Sequence, residues 1–326
     1  MSNTNQWPPY HLVEDTLEET ARKRLDKLER LYHMGQANVW DGHEVLKGLL
    51  QKHGPPRLDP KHEAPLRRIL GILLWGELAA WSISADLAER IEDIEAKMAA
   101  TAQAHDEARH FYVLRDYCKA LGGPVPRLGG VSKRLLLKVL NTESLAEKLL
   151  GMQLMVETNA LGIFHALGDA KLEPVLSELL PYYEQDEARH VGLGVMYLPQ
   201  VLRQLGTYDS AKLVAFQLRC AGYLLAGGAI LREDMEALGI DQRKATKHIL
   251  KIQTDIFDQM LKSPKERGVK QARDSVKGML NSSKGVGPSI MNFLHPEGGE
   301  QAMTPLHRIA LGAFTRASQV VDRAFA

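Results

Sequence analysis

Two five-residue runs carry the chemistry of this chain: Asp106-Glu107-Ala108-Arg109-His110 and Asp186-Glu187-Ala188-Arg189-His190. In each run the glutamate and histidine stand three residues apart, so on a helix they share one face, about 60° from each other. A further glutamate lies 30 residues before each, at Glu77 and Glu157, and every member of the first set recurs 80 residues later. Thirty residues of unbroken helix would span about 45 Å. A segment folded back at its midpoint instead returns the second glutamate to the level of the first. Four carboxylates and two imidazoles then converge. Four buried anions without counter-charge would be very costly. Two divalent ions supply that charge, and an oxygen-rich set with two histidines suits iron or manganese better than copper or structural zinc. One Glu-x-x-His pair alone would read as an ordinary charged helix face. The duplication, with a matched glutamate before each copy, is what argues for two adjacent metal ions held by Glu77, Glu107, His110, Glu157, Glu187 and His190. Two irons fit first, and a manganese–iron pair is the alternative.

Such a site needs helices, and the sequence supplies them. Leu, Ala, Glu, Lys and Arg recur at helical spacing, and alternating runs of Val, Ile and Thr are nearly lacking. The pattern predicts helices over about 15–33, 44–53, 62–88 and 94–121, with stops at Gly54-Pro55-Pro56 and Gly122-Gly123-Pro124. After a linker with a short helix, Asn141-Thr142-Glu143 reads as a helix start, with Gly168-Asp169 as its stop. Pro174 opens the next helix, to about Leu205. Further helices fall near 209–237, 241–262 and 305–324, around an irregular stretch at 263–304. Each copy of the motif is thus one arm of a helical hairpin. Two hairpins make a four-helix bundle at 62–205, with N-terminal helices in 1–61 packing on it and a C-terminal helical extension over 206–326.

Composition excludes several classes. A formal charge of +1 gives no global reason for a nucleic-acid partner. Two distant cysteines, Cys118 and Cys220, exclude a disulfide framework and a cysteine-rich zinc or iron–sulfur site, and make a reduced, cytoplasmic setting the expectation. The N-terminal residues lack a basic start followed by an apolar run, so no secretory signal is expected. The most apolar window, Leu213 to Leu231, is interrupted by Gln217 and Arg219 and holds three glycines. It reads as a buried core helix, not a membrane span.

The paired Asp-Glu-x-Arg-His motifs, each with its upstream glutamate, resemble the ferritin-like non-haem diiron carboxylate superfamily. The form resembles its oxygen-activating branch, the bacterial multicomponent monooxygenase hydroxylases and acyl carrier protein desaturases. The resemblance covers about residues 62–205. It implies an all-α, ferritin-like bundle in which Glu77, Glu107 and His110 hold one metal and Glu157, Glu187 and His190 the other. Glu107 and Glu187 would bridge. It further implies that Asp186 orients His110 and Asp106 orients His190, with Arg109 and Arg189 neutralising the aspartates, which fixes each imidazole's tautomer. Reduced iron in such a site gives two electrons to O₂, so the resemblance implies an O₂-dependent oxidoreductase, an oxygenase or oxidase.

Positions one turn from the ligands are candidates for a substrate pocket: Ala80, Trp81, Gln103, Gln153, Ala160, Leu161 and Tyr183. Most are apolar or small, which favours an apolar or aromatic organic substrate. Leu114 stands where ribonucleotide reductase small subunits carry a radical tyrosine four residues after the first histidine, which argues against that role. Glu184, one turn before Glu187, is a candidate seventh ligand. No dinucleotide fingerprint appears, so electrons are expected from a separate donor. A homodimer is compatible with the C-terminal helices. The alternatives are a ferroxidase or peroxide scavenger like ferritin or rubrerythrin, and a manganese–iron oxidase holding a lipid.

Overall fold

A computed structural model describes residues 19–242 and, in the following helical stretch, 244–246, 248, 249, 251, 252 and 255. The helix expected near 305–324, the irregular 263–304 stretch and parts of the expected 15–33 and 241–262 helices lie outside the described residues.

Among the described residues the chain is helical throughout, with no strand. Its elements are α1 (Glu19–Ala37), α2 (Gly42–His53), α3 (Pro60–Arg90), α4 (Ile94–Ala120), α5 (Gly130–Leu140) and α6 (Leu145–Leu149). A π-helical turn over Leu150–Val156 continues α6 into α7 (Glu157–Ala170), followed by α8 (Pro174–Arg203), α9 (Thr207–Ile230) and α10 (Arg232–Ala237). Helices α3 and α4 form one hairpin, α7 and α8 the other, and α1 and α2 both pack on α4 and α8.

The two hairpin turns explain why the ligand-type residues come level. Helix α3 ends at Arg90 and α4 begins at Ile94; α7 ends at Ala170 and α8 begins at Pro174. The 80-residue displacement therefore holds for the turns as well as the side chains, although the first turn has a poor local signal. In the second turn Lys171 takes the left-handed conformation, φ 47°, which ends α7. The Glu173 carboxylate then accepts hydrogen bonds from the Val175 and Leu176 amides at 3.1 and 2.9 Å, with Pro174 as first helical residue. The same carboxylate accepts the Tyr117 hydroxyl of α4 at 3.1 Å, tying the hairpins together.

Two clusters of buried apolar residues lie along the bundle. One includes Ile83, Ala100, Met155 and Val191, the other Leu74, Val113, Phe164 and Tyr183. Helices α3, α4 and α8 each pass from one cluster to the other through their Glu or Glu–His positions, and on the remaining arm Glu157 stands between the π-helical turn, in the first cluster, and α7, in the second. The polar layer is enclosed because the apolar periodicity continues on both sides of it.

Three local readings change. Ser144, not the preceding Asn-Thr-Glu, caps α6, its hydroxyl accepting the Glu147 amide at 3.3 Å. The expected 209–237 helix breaks at Leu231 into α9 and α10. Helix α9 is also less enclosed than a core helix: Leu213, Phe216 and Cys220 are buried, whereas Leu218 and Tyr208 are exposed. By length and composition alone, α3 and α9 could each cross a membrane; 56% of the apolar window of α3 is buried and 28% of that of α9. The pattern of Leu213–Leu231 is apolar on nearly every face, so sequence could not say which side meets a neighbour.

Candidate metal centre

Glu77, Glu107, His110, Glu157, Glu187 and His190 all lie in the polar layer, and all six are buried. They form two overlapping groups that could each hold a metal ion: Glu77, Glu107, His110 and Glu187, and Glu107, Glu157, Glu187 and His190. Glu107 and Glu187 belong to both. Both imidazoles turn Nδ1 toward the carboxylates. His110 Nδ1 lies 3.3 Å from Glu77, 3.6 Å from Glu107 and 3.2 Å from Glu187. His190 Nδ1 lies 3.0 Å from Glu107 and 3.3 Å from Glu187.

The opposite ring nitrogens face the other half of the repeat. His110 Nε2 lies 3.0 Å from Asp186, and His190 Nε2 lies 3.4 Å from Asp106. Arg109 donates to Asp106 at 2.6 Å and to Asp186 at 2.8 Å. Arg189 donates to Asp106 at 3.1 Å and closely to Asp186. Two buried aspartates and two buried arginines thus form a neutral quartet beside the metal-type residues. Burial pushes the Asp186 carboxyl up, but the His110, Arg189 and Trp40 partners outweigh it and hold it well below the usual range. The same balance, with His190 as main partner, lowers Asp106.

Trp40, in the segment between α1 and α2, is the residue with no signal in the sequence. Its indole N–H donates to Asp186 Oδ2 at 2.8 Å across 146 residues of chain. The Arg109 guanidinium stacks 4.8 Å from its ring centroid. It gets there because Gly42 lets α2 meet α4. A Cβ at Gly42 would stand 2.3 Å from Val113 Cγ2.

The donor set fits a pair of divalent ions on a test internal to the structure. Glu107 Oε2, His110 Nδ1 and Glu187 Oε1 are buried close together, with His110 Nδ1 3.6 and 3.2 Å from the two oxygens, yet none of the three makes an aligned hydrogen bond. Three orphaned donors at one point are unusual in a folded interior unless an ion takes them. The electrostatics agree. Burial, reinforced by neighbouring glutamates, pushes the Glu77 and Glu157 carboxyls well above their usual range. Burial alone would lower both histidines, but the surrounding carboxylates win and raise them. Two divalent ions would supply four positive charges to these four carboxylates.

The other sequence candidates are distributed differently. Ala80 and Ala160 line an apolar cavity that includes Glu77 and Glu157 in its wall. Trp81 is 40% exposed, and neither it nor Leu161 lines that cavity. Tyr183 stacks on His110, ring centroids 4.4 Å apart, and its hydroxyl donates to the His110 carbonyl at 2.8 Å. Gln103 donates to the Glu107 and Glu157 carboxylates and Gln153 donates to Gln103, and neither glutamine lines that cavity. Being one turn from a ligand leaves a side chain free to point around the helix, and packing decides which way. Leu114 is buried in the apolar core. Glu184 is outside both metal groups; it is partly exposed and lies 3.7 Å from His165. Glu184→Gln should therefore leave two metal ions per chain, and loss of one on metal analysis would contradict that reading.

No protein-family model matches the chain, and no curated protein does. Solved structures with a similar course include forms of an R2-like ligand-binding oxidase. One with aerobically reconstituted Mn/Fe cofactor aligns at 14% identity and TM-score 0.49, covering 79% of this chain and 92% of that one. Another, anaerobically reconstituted with Mn/Fe, aligns at 16% identity with the same TM-score and coverage. On its own geometry, a helical bundle with two glutamates and two Glu-x-x-His pairs projecting inward, the chain has the residue arrangement of ferritin-like dimetal carboxylate bundles.

Proposed function

We propose that the protein is an O₂-dependent dimetal oxidoreductase acting on a small apolar or aromatic organic molecule. The observation that carries this is the cavity of about 130 Å³ whose wall includes both Glu77 and Glu157. Beyond those two carboxylates the wall is mainly apolar, with Ile72, Leu73, Leu135 and Ile163 among its residues. Tyr223 and Leu224 of α9, Met235 of α10 and Ile249 beyond it also contribute to the wall. A storage site has no need of an apolar chamber beside its ligands. An oxidase does, because the chamber brings an organic substrate to the metals and keeps bulk water away.

Glu77, Glu107 and His110 would hold one ion and Glu157, Glu187 and His190 the other, with Glu107 and Glu187 shared. The ion pair would supply reduction of O₂ by two electrons, returned by a separate electron donor, since the chain has no recognisable flavin, nicotinamide or iron–sulfur motif of its own. The protein's own part is positional. Asp186 and Asp106 accept from the two Nε2 atoms and keep Nδ1 free for metal. Arg109 and Arg189 keep those aspartates ionised without adding net charge to the layer. The apolar wall holds the substrate against the Glu77–Glu157 side.

The test is anaerobic loading with ferrous iron, then admission of O₂, following oxygen uptake, iron content and product formation over a panel of apolar and aromatic compounds. Two irons per chain and oxygen uptake coupled to an oxidised organic product support the reading. Catalytic oxidation of excess ferrous iron with no organic product would replace it by a ferroxidase. Loading from mixed manganese and iron, followed by metal analysis, separates the Fe/Fe from the Mn/Fe form. Ala160→Phe should fill much of the chamber while leaving two metals bound. Turnover of a bulky substrate should then fall at least about tenfold, the range that loss of fit costs. Unchanged turnover would mean the substrate lies elsewhere.

A further inference from the structure

The two halves of the site repeat in their ligand-type residues but not in what surrounds them. Gln103 Nε2 donates to Glu107 at 3.2 Å and to Glu157 at 3.1 Å, a single amide spanning the two hairpins. Its own carbonyl accepts from Gln153 Nε2 at 3.3 Å, which fixes the amide with its NH₂ toward the carboxylates. Both glutamines are buried, 2% and 0% exposed. Gln153 lies in the π-helical turn just before Glu157 and is seated against Gly194, where a Cβ would come within 2.7 Å of the Gln153 Cβ. The position 80 residues after Gln103 is Tyr183, whose hydroxyl reaches a backbone carbonyl and no carboxylate. The position 80 residues before Gln153 is Leu73. Among the described residues no amide or hydroxyl reaches Glu77, whose near polar neighbour is His110 at 3.3 Å.

We propose that Gln103, locked by Gln153, is a positioning residue that makes the two metal sites unequal. The site of Glu107, Glu157, Glu187 and His190 fills first and holds its ion more tightly than the site that includes Glu77. The inference rests on the dimetal reading above. The physical reason is preorganisation. A donor shared between Glu107 and Glu157 holds both carboxylates at a set separation before metal arrives and occupies one oxygen of Glu157, leaving the other for an ion. Glu77 and Glu157 both line the apolar cavity, but Glu77 has no such donor, so its carboxylate is left to be ordered by His110 and the metal. Partners of this kind typically change metal affinity 10–100-fold.

Titration of the metal-free full-length protein with Co²⁺, followed by visible absorption, reads this without any enzymatic assay. The wild type should take up two Co²⁺ in resolved steps. Gln103→Leu should weaken the tighter step by about 10–100-fold and the weaker one by less, since both sites share Glu107 and only the tighter one has Glu157, bringing the two steps together. Gln153→Leu, which frees Gln103 without removing it, should shift the same step by less. Thermal melts of the metal-free variants separate this from damage to packing. A lowered melting temperature with the two Co²⁺ steps unmoved would overturn the proposal, as would equal weakening of both steps. Should Gln103→Leu fail to fold, Gln153→Leu carries the test alone, and an unmoved tighter step there overturns it. Two equal steps in the wild type would overturn the inequality while leaving the dimetal reading intact. No Co²⁺ uptake at all would remove that reading itself.

Discussion

Glu107→Ala is expected to leave the chain folded and to abolish binding of both metal ions, because Glu107 belongs to both ligand groups. A metal-bound protein is stabilised by about 2.7 kcal/mol for each site at a hundredfold excess of ion over its dissociation constant. For a domain of this size 1 kcal/mol moves the melting temperature by roughly 2–4 °C. Wild-type protein should therefore melt some 5 °C or more higher when Mn²⁺ is added, whereas Glu107→Ala should show no such shift. The Mn²⁺-induced shift carries the test, and not the metal-free melting temperature, because the variant also loses the carboxylate that faces His190 Nδ1 at 3.0 Å and accepts from Gln103. Two ions retained per chain would exclude it as a shared ligand.

Asp186→Ala should have the largest effect on stability. Asp186 accepts from Trp40, Arg109 and Arg189 and faces His110 Nε2. Removing it leaves two buried guanidinium groups with only Asp106 between them. An uncompensated buried charge of this kind costs about 3–5 kcal/mol, measurable by urea denaturation of the metal-free protein. Asp186→Asn keeps a hydrogen-bonding side chain but not the charge and should lie between the two. The dependence on pH has a definite sign. The partners hold the Asp186 carboxyl below its usual range, so its contribution is complete above the ordinary aspartate value of about 3.9. It fades as the pH falls from there toward the lowered folded value. The Asp186 carboxylate's own share of the gap between wild type and Asp186→Ala should thus fade only below about pH 3.9. Above about pH 6.5 the gap should also narrow as the pH rises, because Asp186 helps hold the His110 imidazole above its usual range and that contribution is lost on deprotonation. A gap that widened as the pH fell below about 3.9 would contradict the quartet.

These expectations show how far the residues alone can be read. Glu–His pairs three apart and glutamates 30 apart translate directly into helix geometry, so which side chains share a layer was legible before any coordinate. The Asp–His crossing between halves came from resemblance, and the geometry at Asp186 and His110 has the same pairing. Trp40 could not be found this way, because nothing local to it records a partner 146 residues off. Gln103 was visible but read as a pocket wall. Its amide faces carboxylates because Gln153 holds its other end, a fact of tertiary packing. The cavity walls from α5 and α9 carry no motif, and an apolar helix looks alike whether it lines a chamber or fills a core. The π-helical turn likewise has no compositional mark.

The matched hairpin turns, at Arg90–Ile94 and Ala170–Pro174, have a consequence for the origin of such a protein. Each hairpin carries one upstream glutamate and one Glu-x-x-His pair, half of what two ions require. A single hairpin could complete the set only by meeting its own duplicate across a twofold axis. Joining two copies in one chain removes the concentration dependence of that meeting. It also frees each copy to drift, so that position 103 could become glutamine while its counterpart at 183 became tyrosine. A symmetric pair of separate hairpins could never acquire that difference, because every change would appear in both halves at once.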